Sequence, residues 1–347
     1  MIDLHCHLDG CITVEIAKEL GEIQNIILPT KNDDELLEKL SVPQNCRNLN
    51  DFLKCFELPC KLLQTKEAIS LAIKLVQENC KKQGLIYLEI RFAPQKHCEK
   101  GLSQEEVILA ALEGLKQNDL HTNLILCLMR GSNNQKENLE TIELAKKYLV
   151  EDEGVVGLDL AGAESIFETS LFEQEFSLAK KWNIPFTIHA GEASGAESIK
   201  KALEFGAKRI GHGVRCFENP DVLNYIIKNE IPLEMCPTSN YQTKVIEDMT
   251  KYPLVDFIKK GVKVTINTDD MAICRTNLKN EFNYIEKMYK ITKDDEKKLL
   301  LNAVAAAFCS KNYKNKMKSV IENAPTRLAF SYCTGGYLWR KKLKLEF

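Results

Sequence analysis

Eight short segments that alternate apolar and polar residues, separated by stretches of helical periodicity, predict a (β/α)8 barrel, the TIM-barrel class of α/β fold. Two further observations point the same way. Chemistry-bearing residues gather where these segments end, and no G-x-G-x-x-G phosphate loop follows any of them, which disfavours an open doubly wound sheet. Alternation alone would equally suit a half-exposed antiparallel sheet. The intervening helices favour parallel strands with an oily face under helices and a polar face inside.

Taken in order, the first strand covers residues 2–8, with His5 and His7 on one face and Ile2, Leu4 and Cys6 on the other. A helical insertion at 13–84 follows, including a helix at 65–82 that Gly84 stops. The second strand, 85–92, places Tyr87, Glu89 and Arg91 on one face and ends before Pro94. Ser103 and Glu106 form a capping-box pattern for the next helix. Strands three and four are expected at 123–129 and 155–161, with a helix at 136–150 between them, and Gly157, Asp159 and Ala161 share a face. A helix at 168–183 leads past Pro185 to strand five at 186–189. Helix 196–205 precedes strand six at 208–212, and a helix after Asn219-Pro220 runs to residue 229. Strand seven is expected at 231–236 and strand eight at 262–269, where Thr265, Asn267 and Asp269 share a face. Extra C-terminal helices follow at 277–289, 293–309 and 311–323. With no internal repeat or linker, residues 1–325 are expected to form a single domain, and 326–347 an irregular basic tail read as a frayed, solvated terminus.

Composition narrows the function classes. A chain of 347 residues, 44% hydrophobic, can bury an ample core without disulfides. A formal net charge of −2 offers no footprint for nucleic acid or an anionic membrane. No apolar run approaches the roughly 20 residues that span a bilayer. Strand-like sequence from Ile2 argues against a signal peptide. The 13 cysteines contain no C-x-x-C pair, so they are expected to be reduced thiols in a cytoplasmic protein.

The strand ends carry the chemistry. His5 and His7 end strand one, His189 strand five, His212 strand six, and Asp269 and Asp270 strand eight. In a barrel these ends ring one mouth. The other two histidines, His97 and His121, fall in loops and need no function. Three imidazoles and a carboxylate from His5, His7, His189 and Asp269 could hold zinc with a position left for water, whose pKa the ion would lower towards neutrality. Asp270, of opposite parity, is free to contact a substrate. Glu192, three residues past His189, is either a protonated donor in a dry pocket or an ordinary loop glutamate capping the following helix. His212, between two glycines, is either aimed at the bound water or a core histidine with a backbone partner.

Several stretches together, Ile2-Asp3-Leu4-His5-Cys6-His7-Leu8-Asp9-Gly10, Asp159-Leu160-Ala161-Gly162, Thr187-Ile188-His189-Ala190-Gly191-Glu192, Arg209-Ile210-Gly211-His212-Gly213, Met235-Cys236-Pro237-Thr238-Ser239-Asn240 and Ile266-Asn267-Thr268-Asp269-Asp270, resemble the adenosine deaminase family in order and spacing. The resemblance runs from residue 1 to about 323. It implies a barrel carrying one zinc ion per subunit that converts adenosine or 2′-deoxyadenosine to inosine or 2′-deoxyinosine and releases ammonia, a purine-salvage reaction. It implies zinc ligands at His5, His7, His189 and Asp269, and catalytic roles for Glu192, His212 and Asp270. Glu192 would protonate purine N1, His212 orient or deprotonate the water, and Asp270 bond the N7 edge. The Gly162 backbone would meet N3, and Asp9 with His7 would lie near the ribose. The chain departs from the family pattern at Ala163, where many members carry an acid, and from about residue 326. Two alternatives remain: a deaminase of adenine or another aminopurine, and an inactive purine-binding protein, which would lack a ligand or acid that this chain retains. The combined H-x-E and P-C-x-x-C signature of cytidine deaminases and the H-E-x-x-H of zincins are absent. The expected partner is a small nucleoside, and the sequence leaves the oligomeric state open.

Overall fold

The computed structural model describes residues 1–323, and the expected tail at 326–347 lies outside them. The chain opens on β1 (Ile2–His7), whose Ile2, Leu4 and Cys6 are buried in the apolar core. Five helices follow, α1 (Val14–Gln24), α2 (Asp33–Lys39), α3 (Leu49–Phe52), α4 (Glu57–Leu62) and α5 (Lys66–Lys82), in the stretch expected to be helical. Their starts are written in the sequence. The side chains of Thr13, Asn32, Asn48 and Thr65 each accept the N–H three residues on, a cap worth about 1 kcal/mol. α5 buries Ile69, Ala72, Ile73, Val76 and Cys80 along one stripe, and each fully buried Ile or Val contributes about 1.5–3 kcal/mol.

The remaining order is β2 (Tyr87–Phe92), α6 (Gln104–Leu115), β3 (Thr122–Met129), α7 (Gln135–Tyr148), β4 (Val155–Ala161), α8 (Glu173–Lys181), β5 (Thr187–Ala190), α9 (Ala196–Phe205), β6 (Arg209–His212), α10 (Pro220–Lys228), β7 (Leu233–Met235), α11 (Pro237–Gln242), α12 (Leu254–Lys260), β8 (Val264–Ile266), α13 (Leu278–Tyr289), α14 (Lys293–Ala306) and α15 (Lys311–Asn323). The Ser103/Glu106 capping box at α6 is present with both of its bonds. Two helices, α11 and α12, lie where no helix was expected, the first started by Pro237 in its opening turn. β7 and β8 are only three residues long, because Pro237 ends one and the chain leaves the sheet after Ile266 in the other.

All strand pairs are parallel. β1-β2-β3-β4 and β5-β6-β7-β8 form two four-stranded sheets, joined by bridges from Leu158 to Phe186 and from Cys6 to Asp269. The (β/α)8 barrel is therefore closed. Among the described residues no helix is long and apolar enough to cross a membrane.

The barrel interior is charged. Arg91 donates to Asp159 (2.9 Å) and Glu234 (2.9 Å), and Arg209 donates to Glu234 (2.5 Å) and Glu89 (2.6 Å), all five side chains being fully buried. The C-terminal helices plug the far end of this network. The Phe308 N–H donates to Glu89 (2.6 Å), its ring lies 3.8 Å from the Arg209 guanidinium, and Arg209 also donates to the Ala306 carbonyl (2.9 Å). A continuous chain of charge-assisted bonds thus runs from the α14–α15 corner to the strand ends.

Candidate active site

β1 sends His5 and His7 into the barrel mouth on one face, with ring centroids 5.3 Å apart. The Nδ1–H of His5 donates to Glu234 (2.8 Å), and that of His189, from β5, donates to Asp159 (2.9 Å). With Nδ1 engaged by a carboxylate, each ring turns a bare Nε2 lone pair towards the centre, the arrangement common to metal-binding histidines. His7 Nε2 lies 3.2 Å from His189 Nε2, and 3.4 Å from Asp269 Oδ1. His5 Nε2 lies 3.1 Å from the same oxygen yet has no hydrogen-bond partner.

Asp269 does not arrive on a strand, as parity suggested. β8 has already ended, and Asp269 takes a left-handed backbone, φ +62°. Its N–H donates to the His5 carbonyl (2.8 Å) and its carbonyl accepts from the His7 N–H (2.8 Å). Barrel closure itself aims this carboxylate at the histidines of β1.

His212 ends β6, also with positive φ (+59°). Its Nε2 is 3.5 Å from Glu192 and 3.9 Å from Asp269. Its Nδ1 faces the Asn240 amide at 3.0 Å, and Tyr252 donates to the oxygen of that amide (2.8 Å). With its oxygen engaged, Asn240 turns its N–H2 to His212, so Nδ1 accepts and a neutral ring carries its proton on Nε2, facing the site.

The donor set fits a divalent cation. Ligand atoms of His5, His189, His212 and Asp269 all lie within 4.8 Å of one another, and the contacts of His7 place it beside them. His5, His7, His189 and Asp269 bring nitrogen and carboxylate donor atoms into contacts of 3.1–3.4 Å, a set a cation can bind. Charge leads to the same result. Glu89, Asp159 and Glu234 share the two guanidinium groups of Arg91 and Arg209, while Asp269 bonds to neither and faces imidazoles, so a cation at the mouth adds charge where carboxylates outnumber arginines. Burial works against ionising Asp159, but the His189 ring and Arg91 overcome it and hold its carboxyl well below the usual range.

The acids around this centre behave differently. Burial first, then repulsion by Asp269 and Glu164, pushes the Glu192 carboxyl well up. Burial, then Asp269 and Asp9, does the same to Asp270. Asp9 is raised to about 6, chiefly by burial. Asp9 and Asp270 meet at Gly10, and each keeps one oxygen without a partner. Gly162 ends the β4 side of the mouth at φ +105°, a backbone that only glycine adopts freely. Over the mouth, Phe52 and Leu49 pack with Ile273 and Cys274, and Val42 donates to the Ile273 carbonyl (3.0 Å), so the helices after β1 wall the site.

Asp159 and Glu234 went unassigned in the sequence reading. Their signal was there: an acid at an inward position of an otherwise apolar strand. Asn240 and Glu164 carried no such mark, because each lies outside the strands and acts through another residue. His97 is buried and not loop-exposed, in a single turn at Pro94–His97, with burial lowering its pKa to about 4.

Comparison with known proteins adds three findings. The sequence profile of the family described as adenosine deaminase matches residues 1–324. An adenosine deaminase of Haemophilus ducreyi is 46% identical over 93% of this chain and 95% of its own, and one from Enterococcus faecalis is 40% identical over 93% and 96%. The crystal structure of an adenine deaminase from Arthrobacter aurescens superposes with a TM-score of 0.84 at 26% identity, covering 92% of this chain and 97% of that one.

Proposed function

Because the chain belongs to the adenosine deaminase family and is a hydrolytic deaminase of adenosine, we propose that His5, His7, His189 and Asp269 hold one zinc ion and that Glu192, His212 and Asp270 act on the purine beside it. Residues 1–325 would form the single catalytic domain, working in the cytoplasm on adenosine and 2′-deoxyadenosine. The observation that carries this reading is the pair of imidazoles, His5 and His189, each held at Nδ1 by a buried carboxylate, with His5 Nε2 3.1 Å from Asp269 and His189 Nε2 3.2 Å from His7 Nε2.

A divalent ion held there supplies a water whose pKa is brought near neutrality. The chain does the rest. Glu192, protonated by virtue of its burial, gives its proton to N1 and makes C6 electrophilic. Asp270, also protonated, donates to N7, an acceptor that an ionised carboxylate would repel. The Gly162 N–H donates to N3, and Asp9 with His7 meets the ribose hydroxyls. His212 points its Nε2–H at the attacking oxygen, so it orients that oxygen and stabilises its charge instead of accepting a proton. The new C6–O bond makes C6 tetrahedral. Of the two water protons, one goes to the departing amine and one returns to Glu192, while N1 keeps the proton it received. The C6–N bond then breaks and ammonia leaves.

The test is Asp269→Ala, with elemental analysis of the purified protein and an ammonia-release assay on adenosine, deoxyadenosine and adenine. Bound zinc and turnover should disappear together. Full zinc occupancy in the variant would remove Asp269 from the ligand set. Faster turnover of adenine than of adenosine by the parent would assign the sugar pocket to a different aminopurine.

A further inference from the structure

We propose that Glu164 is a positioning residue for this reaction: from the loop after β4, its carboxylate holds the Gly191–Ser194 segment in shape and so sets where Glu192 meets the purine. The proposal rests on Glu192 being the proton donor. Four consecutive backbone amides converge on the one side chain. Gly191 N–H donates to Oε1 (2.7 Å), and those of Glu192 (3.0 Å), Ala193 (2.6 Å) and Ser194 (3.0 Å) donate to Oε2. The Ser198 hydroxyl, from the first turn of α9, adds a fifth bond to Oε1 (2.5 Å). Glu164 is 1% exposed.

Such a run of amides facing one point is an anion cradle, and here the anion belongs to the protein. Between the end of β5 at Ala190 and the start of α9 at Ala196, the segment has no strand partner to satisfy these donors. Glu164 satisfies them all. Glu192 lies inside the bound run and is also held at its carbonyl. Its carbonyl accepts from Arg215 Nε (3.1 Å), and its carboxylate sits 3.5 Å from His212. With its own N–H on Glu164, the only freedom left to it is torsion within the side chain.

Glu164 also stands two residues after Gly162. One side chain therefore ties the loop proposed to meet N3 to the loop proposed to protonate N1. The spacing between the two protein groups that meet those edges of the purine is set by this bond set. Placement of this kind improves the approach to the transition state more than the affinity for the ground state.

Glutamine at this position offers one acceptor oxygen where two are used, and turns an N–H2 towards N–H donors. Aspartate keeps the charge but is one methylene short. The experiment compares Glu164→Gln, Glu164→Asp, Glu192→Gln and the double variant Glu164→Gln/Glu192→Gln, with metal content, kcat and KM for adenosine, and the inhibition constant of inosine. Glu164→Gln should lower kcat about 100-fold while KM and the inosine constant stay within about threefold. Glu164→Asp should recover part of the lost kcat. The double variant should be no more than about twofold slower than Glu192→Gln alone, because the group through which Glu164 acts is already gone.

A Glu164→Gln enzyme within about threefold of the parent kcat would overturn the proposal. So would a double variant slower than Glu192→Gln by the whole factor seen in Glu164→Gln, since that is the mark of a general structural defect. Should Glu164→Gln not fold, Glu164→Asp carries the same test: a kcat loss that vanishes in the Glu192→Gln background supports the proposal, and an unchanged kcat overturns it. A fully active Glu192→Gln would bring down the proton-donor reading itself. An inactive Glu192→Gln beside a fully active Glu164→Gln would bring down only this inference.

Discussion

Replacing Gly10 by alanine should disable the enzyme through Asp270. A Cβ built on Gly10 would stand 1.8 Å from Asp270 Oδ1, 2.6 Å from its Cγ and 2.7 Å from its Cβ. Non-bonded carbons rest about 3.5–4.0 Å apart. Swinging the carboxyl aside relieves the first contact but not the last, which still falls short by roughly an ångström on that scale. Retreat of the backbone is blocked as well. The Gly10 carbonyl accepts from Ala272 (2.9 Å) and Ile273 (3.3 Å), so residue 10 is bonded to the loop it would have to leave. The 269–272 loop must therefore move, by about 1 Å, and a misplacement of that size typically costs about 100-fold in rate. Overpacking of this kind costs about 1–3 kcal/mol, small enough to leave a folded protein. The assay is the fall in ultraviolet absorbance as adenosine becomes inosine, read as kcat/KM, with urea unfolding as the control. A folded Gly10→Ala enzyme that keeps at least about a third of the parent kcat/KM would refute the reasoning, since Asp270 would then not need its present position.

Asp159→Asn should weaken metal binding roughly 10- to 100-fold, because an amide offers His189, Arg91 and the Leu160 N–H one neutral acceptor oxygen where two charged ones now serve them. It should also cost on the order of 3 kcal/mol in urea unfolding, since Arg91 loses one of its two buried carboxylates. Unchanged zinc affinity in competition with a chelator would count against that orienting role. Asn240→Asp should place an acceptor opposite His212 Nδ1, draw the ring proton there, and lower kcat about 100-fold with little change in KM. The nitrogen chemical shifts of His212 should report the exchanged tautomer, and an unchanged spectrum would count against it. Glu281, buried and raised from 4.5 to about 7 chiefly by burial, holds its proton to higher pH in the folded chain than in the unfolded one. The folded state therefore binds more protons across that interval, so stability falls as pH rises from 4.5 to about 7 and levels off above it. Relative to Glu281→Gln, the parent should lose roughly 3 kcal/mol over that window in urea titrations, whereas parallel curves would show that Glu281 does not titrate there.

The sequence made the barrel legible because side-chain parity is a local property. Tyr87, Glu89 and Arg91 needed only the period of two to be placed inside, and His5 with His7 likewise. Elements ruled by backbone events were harder to see. Asp269 shares a parity with Thr265 and Asn267, yet reaches the histidines through a left-handed turn beyond the strand, a route that parity does not show. The short helix at Pro237 has no apolar stripe long enough to announce it. Glu164 was invisible for a simpler reason: four of its five side-chain bonds go to main-chain amides, which nearly every residue has. The charge pairing of Arg91 and Arg209 with Glu234 likewise depends on which strands lie beside or across from one another, knowledge that belongs to the closed barrel and not to any single segment.

Asp269 stitches the last strand to the first through two main-chain bonds and at the same time lends its carboxylate to the histidines. The cage and the seam are one residue. A chain emerging from the ribosome therefore completes the proposed ligand set late, however soon His5 and His7 appear, because the closing stitch lies 264 positions behind the first of them. A chain stalled before its final strand would offer these histidines without the carboxylate proposed to complete the site.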